Sequence, residues 1–368
     1  MAISKRLLGL SVSAAIIFAA CGPGGTASTA PKYKACVAFD TGGLGDKGFN
    51  DLAQKGLADA KAAGFDTAEA EAQGATDYAA NIQRLIDQGC KSIITVGFLQ
   101  SEATAAAAVA NPTVAFAQVD TAWNTAGPDF IPGNADDTPI PPNFTGLDYQ
   151  IDQAAMLAGY LAAGFSESGK IGTYGGQQFP GVTRFMDGLY AGIGYYNEKK
   201  SPTTDVTLLG WDGDKTGTFV GGDNPWNDPA KGEQLAGTLI DQGVDIVHPV
   251  AGATGNGSIK KMMDEGLWAI GVDTDQAISL SQYAAAILTS AQKAIDVSVL
   301  DTIKKNAAGD LGGEDYSGTL ANNGVLLSPY HDLDDDIPAE LKTEIDALKA
   351  EIIAGTVKVC TYLARGCA

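Results

Sequence analysis

The glycine-rich stretch 43–48 is the first candidate for chemistry, because it follows an apolar segment and precedes a helical pattern. It matches the G-x-G-x-x-G pattern of dinucleotide-binding proteins, and Glu69 and Glu71 follow where a ribose-binding acid is expected. Asp40 and Asp46, however, lie at this turn, where a pyrophosphate requires amide N–H groups and the positive end of a helix. These carboxylates argue against a nicotinamide-dependent oxidoreductase.

The same stretch is better suited to contact a small polar ligand. Ligands of open α/β sheets bind at the carboxyl ends of the strands; Asp40 ends the strand predicted over residues 36–40, and Phe49 and Asn50 come soon after it. They offer oxygen acceptors, an amide and one aromatic face. The structural alternative is that Asp46 caps the helix, Phe49 belongs to the core and the glycines only form the turn.

Other patterns give weaker indications of chemistry. Residues 212–223 begin like a calcium-binding loop, but the twelfth position is Asp223 instead of glutamate, and Pro225 follows closely. A hydrolase needs a metal cluster or an activated nucleophile, and the chain contains two histidines, His248 and His331, without a recognisable nucleophile pattern. We therefore predict no catalytic residue, no metal site and no cofactor, and we expect a binding protein instead of an enzyme.

Short apolar strands that alternate with helical segments position these residues, a pattern typical of a parallel sheet covered on both faces. The predicted strands are 36–40, 92–97, 113–119, 170–174, 206–211, 246–250 and 268–272. The predicted helices are 50–63, 75–88, 150–165, 183–197, 229–242, 257–265 and 284–306. A chain of 368 residues is longer than a single hydrophobic core usually supports. In addition, the sequence Leu-Ile-Asp-Gln-Gly precedes a predicted strand at both 85–89 and 239–243. Both facts indicate two similar α/β lobes.

The N-terminus has the pattern of an export signal. Basic residues precede the apolar stretch 7–18, which is too short to span a membrane, and small residues precede Cys21. This arrangement resembles the lipobox of bacterial lipoproteins, in which the cysteine carries a lipid, although Phe18 stands where leucine is usual. An ordinary signal peptide with an incidental Cys21 is the alternative. The predicted segments are a signal peptide over 1–20 and a lipid-anchored flexible linker over 21–31.

Four further cysteines predict two disulfides in an exported chain. Cys36 opens one predicted strand and Cys90 directly precedes another, so both lie at the same sheet edge if the strands are parallel neighbours. We therefore predict Cys36–Cys90 and Cys360–Cys367. A metal site is the rival interpretation, but no Cys-x-x-Cys spacing supports it.

The charge of the chain excludes some partners. The formal net charge is −20 at pH 7. Such a surface repels nucleic acid and anionic lipid head groups, so we expect neither as a partner. The export signal and Cys21, by contrast, predict a location on the cell membrane, lipid-anchored and facing the periplasm or the cell exterior.

Residues 40–50 resemble the opening signature of the basic membrane protein family, lipoproteins that include the purine nucleoside receptor of spirochaetes. Further segments match this family in order, namely 154–163, 169–172, 184–189, 227–232 and 271–276. The resemblance implies a type I periplasmic-binding-protein fold, an α/β fold with two doubly wound parallel-sheet lobes joined by a hinge. From the strand pattern we expect an N-terminal lobe of 32–147 plus 277–315 and a C-terminal lobe of 148–276 plus 316–368.

The resemblance also implies a ligand, a purine nucleoside clamped between the lobes of a monomer and passed to an ABC permease in the membrane. Phe49 and Trp226 would sandwich the base, with Trp226 standing where related sequences more often have phenylalanine. The remaining carried-over contacts are Asp40, Asn50 and Asp120 as acceptors, Asp273 for the ribose hydroxyls, Lys293 nearby, and Gly252 in a turn that lets backbone amides approach the sugar.

Two other functions stay open. A receptor of the same fold for a sugar or a signalling molecule would not need two aromatic faces. An exported nucleoside hydrolase would need a metal cluster or a triad, which the sequence does not display.

Overall fold

The computed structural model describes residues 32–123 and 139–367. These residues form two six-stranded sheets flanked by helices. In spatial order, the first sheet contains β2 (Asp66–Glu71), β1 (Lys34–Phe39), β3 (Ser92–Val96), β4 (Ala115–Val119), β5 (Phe144–Tyr149) and β11 (Tyr316–Gly318). The second contains β7 (Thr207–Leu209), β6 (Lys170–Gly175), β8 (Ile246–Val250), β9 (Trp268–Asp273), β10 (Ile287–Lys293) and β12 (Val325–Leu327). Apart from the antiparallel pair β10–β12, all neighbouring strands in these sheets are parallel.

Each sheet and the helices packed against it form one lobe. The helices of the first lobe are α1 (Phe49–Ala62), α2 (Tyr78–Asp87), α3 (Ser101–Ala110) and α9 (Ile295–Ala307). Those of the second lobe are α4 (Ile151–Phe165), α5 (Pro180–Lys200), α6 (Pro229–Ile240), α7 (Gly252–Asp264), α8 (Gln276–Ser279) and α10 (Ala339–Ile353). The central strands are buried on both faces, as a parallel sheet between helix layers requires.

The chain crosses between the lobes three times, after β5, after β10 and between β11 and β12. This corrects the predicted lobe boundaries. Assigning 277–315 to the N-terminal lobe is wrong for β10, which pairs with β9 in the second sheet. Assigning 316–368 to the C-terminal lobe is wrong for β11, which pairs with β5 in the first sheet.

The first of these errors comes from the helix predicted over 284–306. The structure has a strand, β10, followed by helix α9 in that region. Six of the seven residues of β10 are buried, so no alternation of polar and apolar residues marks the strand. A continuously buried segment that also contains alanines looks the same in sequence whether it forms a strand or a helix.

The repeated sequence Leu-Ile-Asp-Gln-Gly occupies equivalent places in the two lobes. It ends α2 before β3 in the first lobe and ends α6 before β8 in the second. Gly89 and Gly243 adopt left-handed conformations, with φ of 81° and 88°. The amide after each glycine donates to the carbonyl five residues earlier, at 3.2 Å in the first lobe and 3.1 Å in the second. Glycine is favoured here because a side chain would be strained at this φ.

Two disulfides connect segments of the chain, Cys36 with Cys90 and Cys360 with Cys367. These are the pairs predicted from the sequence, and β1 and β3 are parallel neighbours, as the argument for the first pair requires. The predicted signal peptide, the lipidated Cys21 and the linker lie outside the described residues. Within the described part of the chain, no helix is both long and apolar enough to cross a membrane.

Candidate ligand-binding site

A cavity lies between the carboxyl ends of the two sheets. It is lined by all eight residues predicted to contact a ligand, Asp40, Phe49, Asn50 and Asp120 from the first lobe and Trp226, Gly252, Asp273 and Lys293 from the second. The fold explains this convergence, because parallel strands place their carboxyl ends at one edge of the sheet. Asp40 and Asp120 directly follow β1 and β4, while Asp273 and Lys293 are the last residues of β9 and β10.

Lys293 connects the acidic groups of the two lobes. Its ammonium nitrogen donates a hydrogen bond to Asp120 Oδ2 at 2.6 Å and lies 3.5 Å from Asp273 Oδ1. The Lys293 side chain is only 2% exposed, so this charge depends on the two carboxylates for its stabilisation. Burial raises the pKa of Asp273 to about 6 and also raises that of Asp120, while Lys293 opposes both shifts.

Asp120 and Asp273 are equivalent residues of the two lobes. Each terminates the fourth strand of its lobe, and each adopts a left-handed conformation, with φ of 63° and 64°. Asp273 Oδ1 is nevertheless buried and accepts no hydrogen bond from the described residues, although the Lys293 ammonium forms an ion pair with it at 3.5 Å. That oxygen is available to a ligand donor, because an unsatisfied buried acceptor is unfavourable.

Asp40 and Asn50 form the polar wall contributed by the first lobe. The Asn50 amide donates to Asp40 Oδ1 at 3.0 Å and to Asp46 Oδ2 at 3.2 Å. These two bonds orient the amide, and its oxygen is buried without a partner in the described structure. Burial raises the pKa of Asp40 to about 6, opposed by the hydrogen bond from Asn50. This wall therefore presents oxygen acceptors to the cavity.

Asp46 occupies the N-terminus of α1. Its carboxylate accepts hydrogen bonds from the backbone N–H groups of Gly48, Asn50 and Asp51, at 2.9, 2.8 and 3.2 Å. These are the donors that a pyrophosphate would need at a dinucleotide site. The structural alternative is therefore confirmed for Asp46, and the glycine-rich motif is not a phosphate-binding loop.

Two aromatic rings from different lobes line the cavity. Phe49 is the first residue of α1, and Trp226 lies in the loop before α6. The Trp226 ring packs at 5.7 Å from that of Phe179, and its Nε1–H group is buried without a partner in the described residues. A side chain at Gly176 would clash with the Trp226 ring, so the glycine makes room for it.

Sequence reasoning missed three further aromatic residues of the cavity, Phe98, Phe179 and Phe185. Phe98 of the first lobe stacks on Phe179 of the second, with ring centres 5.3 Å apart and planes 16° apart. Phe185 lies beneath the Lys293 ammonium, 4.8 Å from its ring centre. Phe98 follows β3 by two residues, and this strand-end position is the signal that could have found it.

Neither histidine lines the cavity. His248 is buried within β8, where its Nδ1 lies 3.1 Å from the Ile270 carbonyl oxygen, and burial lowers its pKa to about 4. His331 Nε2 lies 2.7 Å from Asp275 Oδ2.

In the calcium-like loop, one carboxylate oxygen of Asp212 accepts hydrogen bonds from three backbone N–H groups. In residues 32–123 and 139–367, no group of three or more acidic, histidine or cysteine residues could hold a metal ion.

Comparisons with known proteins agree with this architecture. The chain is 29% identical to basic membrane protein A2 of Borrelia garinii subsp. bavariensis, over 95% of this chain and 94% of that protein. It is 28% identical to the ABC transporter nucleoside-binding protein BmpA of Lactococcus lactis subsp. cremoris, over 96% of this chain and 99% of the relative. An ABC transporter solute-binding protein from Aeropyrum pernix K1 has a similar structure, with a TM-score of 0.74 and 24% identity, covering 89% of this chain and 92% of that one.

The structural likeness confirms the predicted fold, that of the periplasmic solute-binding proteins. A sequence model of the family described as PnrA-like ABC transporter substrate-binding proteins matches residues 33–361. This match covers both lobes and every residue of the cavity, and it confirms the resemblance predicted from residues 40–50. The chain therefore belongs to the PnrA-like family of ABC transporter substrate-binding proteins.

Proposed function

We propose that this protein binds a purine nucleoside in the interlobe cavity and delivers it to an ABC permease. One observation carries the proposal. A single cavity combines an aromatic ring from each lobe, Phe49 and Trp226, with carboxylates from both lobes. A flat heterocycle joined to a polyhydroxylated sugar matches that combination. The relative from Lactococcus lactis, which is described as nucleoside-binding, supports the same ligand class.

The base would be held by stacking and by the first-lobe wall. Stacking of a base on an aromatic side chain contributes about 1–3 kcal/mol. Asp40 and Asn50 adjoin Phe49 and present acceptor oxygens, including the unpartnered Asn50 Oδ1. They would accept hydrogen bonds from N–H groups at the edge of the base. A purine such as inosine or guanosine offers such a donor on its six-membered ring.

The ribose would be held by the second lobe. Asp273 Oδ1 lacks a hydrogen-bond partner in the described structure and would accept from a ribose hydroxyl. Gly252 has a φ of 54° at the start of α7, so its backbone can approach the sugar without a side chain in between. Asp120, by contrast, is already paired with Lys293 and would mainly hold that lysine in place.

The charges of the cavity favour nucleosides over nucleotides. Among the residues that the structure describes, its lining includes four carboxylic acids, Asp40, Asp46, Asp120 and Asp273, but only one basic residue, Lys293. Because Lys293 is already paired, a phosphate group would meet mainly like charge. We therefore expect a nucleoside monophosphate to bind much more weakly than the corresponding nucleoside.

Binding would be coupled to closure of the lobes. A ligand that contacts both lobes satisfies its polar groups only when they are closed, and so it shifts the population toward the closed form. A closed shape is what a permease can distinguish from the empty receptor. We further propose that the protein is exported by residues 1–20 and anchored to the membrane through lipidated Cys21, which would hold it beside that permease.

Calorimetric titration against purine and pyrimidine nucleosides, free bases, pentoses and nucleoside monophosphates tests the ligand class. Phe49→Ala and Trp226→Ala should each weaken nucleoside binding by about 5- to 150-fold, the equivalent of one stacking contact. Phe65→Ala and Trp268→Ala are matched controls outside the cavity and should leave affinity unchanged once folding is verified. Tight binding of a sugar that is indifferent to Phe49 and Trp226 would instead favour the sugar-receptor alternative.

Incubation of the protein with inosine tests the hydrolase alternative. The proposal expects inosine to be recovered intact, because neither histidine reaches the cavity and the described residues form no metal cluster. Release of hypoxanthine at an enzymatic rate would overturn the assignment as a binding protein.

A further inference from the structure

Two polar side chains of the second lobe contact the main chain of the first lobe. Asn256 of α7 donates from Nδ2 to the carbonyl oxygen of Asp46 at 3.0 Å. Ser279 of α8 donates from Oγ to the carbonyl oxygen of Lys47 at 2.8 Å. The two acceptors are consecutive carbonyls of the loop between β1 and α1. Neither Asn256 nor Ser279 lines the cavity, so these bonds are separate from the proposed ligand contacts.

The accepting loop is held in place by its own lobe. The Asp51 carboxylate accepts from the N–H groups of Gly45 at 2.7 Å and Lys47 at 3.2 Å. Asp46 accepts from the first N–H groups of α1, as described above. Lys47 has a φ of 62°, in the left-handed region. These constraints aim the carbonyls of Asp46 and Lys47 outward, toward the second lobe, without any contribution from a ligand.

The donor Asn256 is oriented just as firmly, because a series of hydrogen bonds fixes the side-chain amides of Gln276 and Asn256. The backbone N–H of Val272 donates to Gln276 Oε1 at 2.9 Å, so the Gln276 amide nitrogen must face the other way. That nitrogen donates to Asn256 Oδ1 at 3.1 Å. The Asn256 nitrogen is thereby left facing the Asp46 carbonyl. Val272 immediately precedes Asp273, so this series of hydrogen bonds begins beside the cavity.

We propose that Asn256 and Ser279 form an interlobe latch that stabilises the closed arrangement of the lobes whether or not a ligand is present. The latch binds main-chain carbonyls, so it acts on closure itself and not on the choice of ligand. If the cavity holds a nucleoside, as proposed above, the latch raises the affinity for all ligands by the same factor. Asn256 and Ser279 are in this sense positioning residues, which do not touch the ligand.

The sharpest variant is Asn256→Asp combined with Ser279→Ala. An aspartate at 256 can still accept from Gln276 within its own lobe, but it has no donor for the Asp46 carbonyl and repels it instead. Ser281→Ala is the matched control, since Ser281 is exposed and lies two residues from Ser279. Asn256→Ala alone separates the loss of the bond from the added charge.

The first measurement needs no ligand. Spin labels on cysteines introduced at Lys61 of α1 and Gln234 of α6, both exposed, report the distance between the lobes. We expect the unliganded protein to populate a closed distance, and the double variant to lose that population while the Ser281 control keeps it. An unchanged distance distribution in the double variant would overturn the latch. This test stands even if no nucleoside binds, so it can fail independently of the proposed function.

The second measurement is calorimetric titration of the same variants with several ligands. Each lost hydrogen bond should weaken binding by about 3- to 10-fold, and the ratio of affinities between any two ligands should stay constant. If the affinity for only one ligand fell, Asn256 or Ser279 would contribute to ligand specificity, contrary to the proposal. The double variant should also release its ligand faster, because an unlatched closed form opens more often.

Discussion

The two lobes share a scaffold but differ in what they place at their strand ends. Both sheets follow the same strand order, and the same Leu-Ile-Asp-Gln-Gly sequence ends an equivalent helix in each. After its first strand, the first lobe places Asp40, Asp46 and Asn50, all buried and polar. At the equivalent point after β6, the second lobe has Gly176, which makes room for Trp226. The scaffold is duplicated, whereas the chemistry resides in loops that differ, as is general for folds that serve many functions.

The fourth strand is the exception, because both lobes end it with an aspartate in the same conformation. Asp120 and Asp273 share their place and their φ, yet Lys293 bonds the first closely and the second only at a distance. Lys293 thus bonds more closely to Asp120 than to Asp273, and we expect Asp273 to be the one that contacts a ligand. The predictions that follow test this comparison between the lobes, from the largest expected effect to the smallest.

Replacing Lys293 should have the largest effect. Lys293→Met keeps most of the side-chain volume but leaves the carboxylates of Asp120 and Asp273 buried without their cation. We expect the free energy of unfolding to fall by about 3–5 kcal/mol in urea denaturation at pH 7.5. Lys304→Met removes an exposed lysine and should change it by less than about 1 kcal/mol. A mild effect of Lys293→Met would mean that the two carboxylates do not depend on this lysine.

Separate replacement of the two equivalent aspartates should affect stability and ligand binding to different extents. Asp120→Asn removes the negative charge of the group that accepts the 2.6 Å hydrogen bond from Lys293, so it should lower the free energy of unfolding by about 1.5–3 kcal/mol. Asp273→Asn should lower it less but weaken nucleoside binding more, because its oxygen is the one left free. Urea denaturation and calorimetry of both variants make the comparison. Equal losses in both measurements would show that the lobes do not divide these roles.

The pH dependence should differ between stability and binding. Burial raises the pKa of Asp40 and of Asp273 to about 6, above the ordinary value of about 4 in an unfolded chain. The folded protein therefore binds protons more tightly, and these two groups should make it more stable as the pH falls from 8 toward 5. A ligand N–H or hydroxyl donor requires the ionised carboxylate, so each of these two groups should lower nucleoside affinity by about tenfold near pH 5.

Thermal unfolding without ligand and calorimetry with ligand, each at several pH values, separate these opposite trends. Asp40→Asn should flatten both curves, since it removes one of the two groups. An affinity that stays constant between pH 7.5 and 5 would contradict a role for ionised Asp40 and Asp273 in binding.

The smallest effect concerns the feature that the lobes share. Gly89→Ala and Gly243→Ala each place a side chain at a φ above 80° with open space around it, except for Lys170 beside Gly243. Each should lower the free energy of unfolding by about 1 kcal/mol, with no change in ligand affinity. Similar losses in the two variants would support the equivalence of the lobes, and a large difference would break it.

Much of the site could be predicted from the sequence because strand ends are recognisable. Asp40 ends a short apolar run that precedes a helical pattern, and in such a fold the carboxyl ends of strands meet the ligand. Residue types then completed the prediction for this loop, since Asp40, Phe49 and Asn50 offer acceptors, an amide and an aromatic face. The resemblance to the basic membrane protein family supplied the other five contacts, namely Asp120, Trp226, Gly252, Asp273 and Lys293.

Features that depend on how elements pack could not be predicted. Strand β2 has the sequence Asp-Thr-Ala-Glu-Ala-Glu and lies at a sheet edge, so it lacks the apolar run of a buried strand. Strand β10 could not be recognised because it is buried on both faces, so its sequence lacks the alternation of polar and apolar residues that marks a half-exposed strand. Phe179 and Phe185 line the cavity only because α5 begins at its rim, and Asn256 meets the first lobe only through tertiary packing. No local pattern records such contacts.

The three crossings between the lobes constrain how the chain reaches its native state. Helix α9 packs against α1, β3 and β4, and β11 completes the first sheet, yet both come after strands β6 to β10 of the second lobe in the sequence. Until residues 295–318 are available to fold, the first lobe has an uncovered apolar surface and an unpaired edge beside β5. The lobe that begins first is thus finished late, and a chain truncated before residue 295 should aggregate instead of yielding an independent N-terminal half.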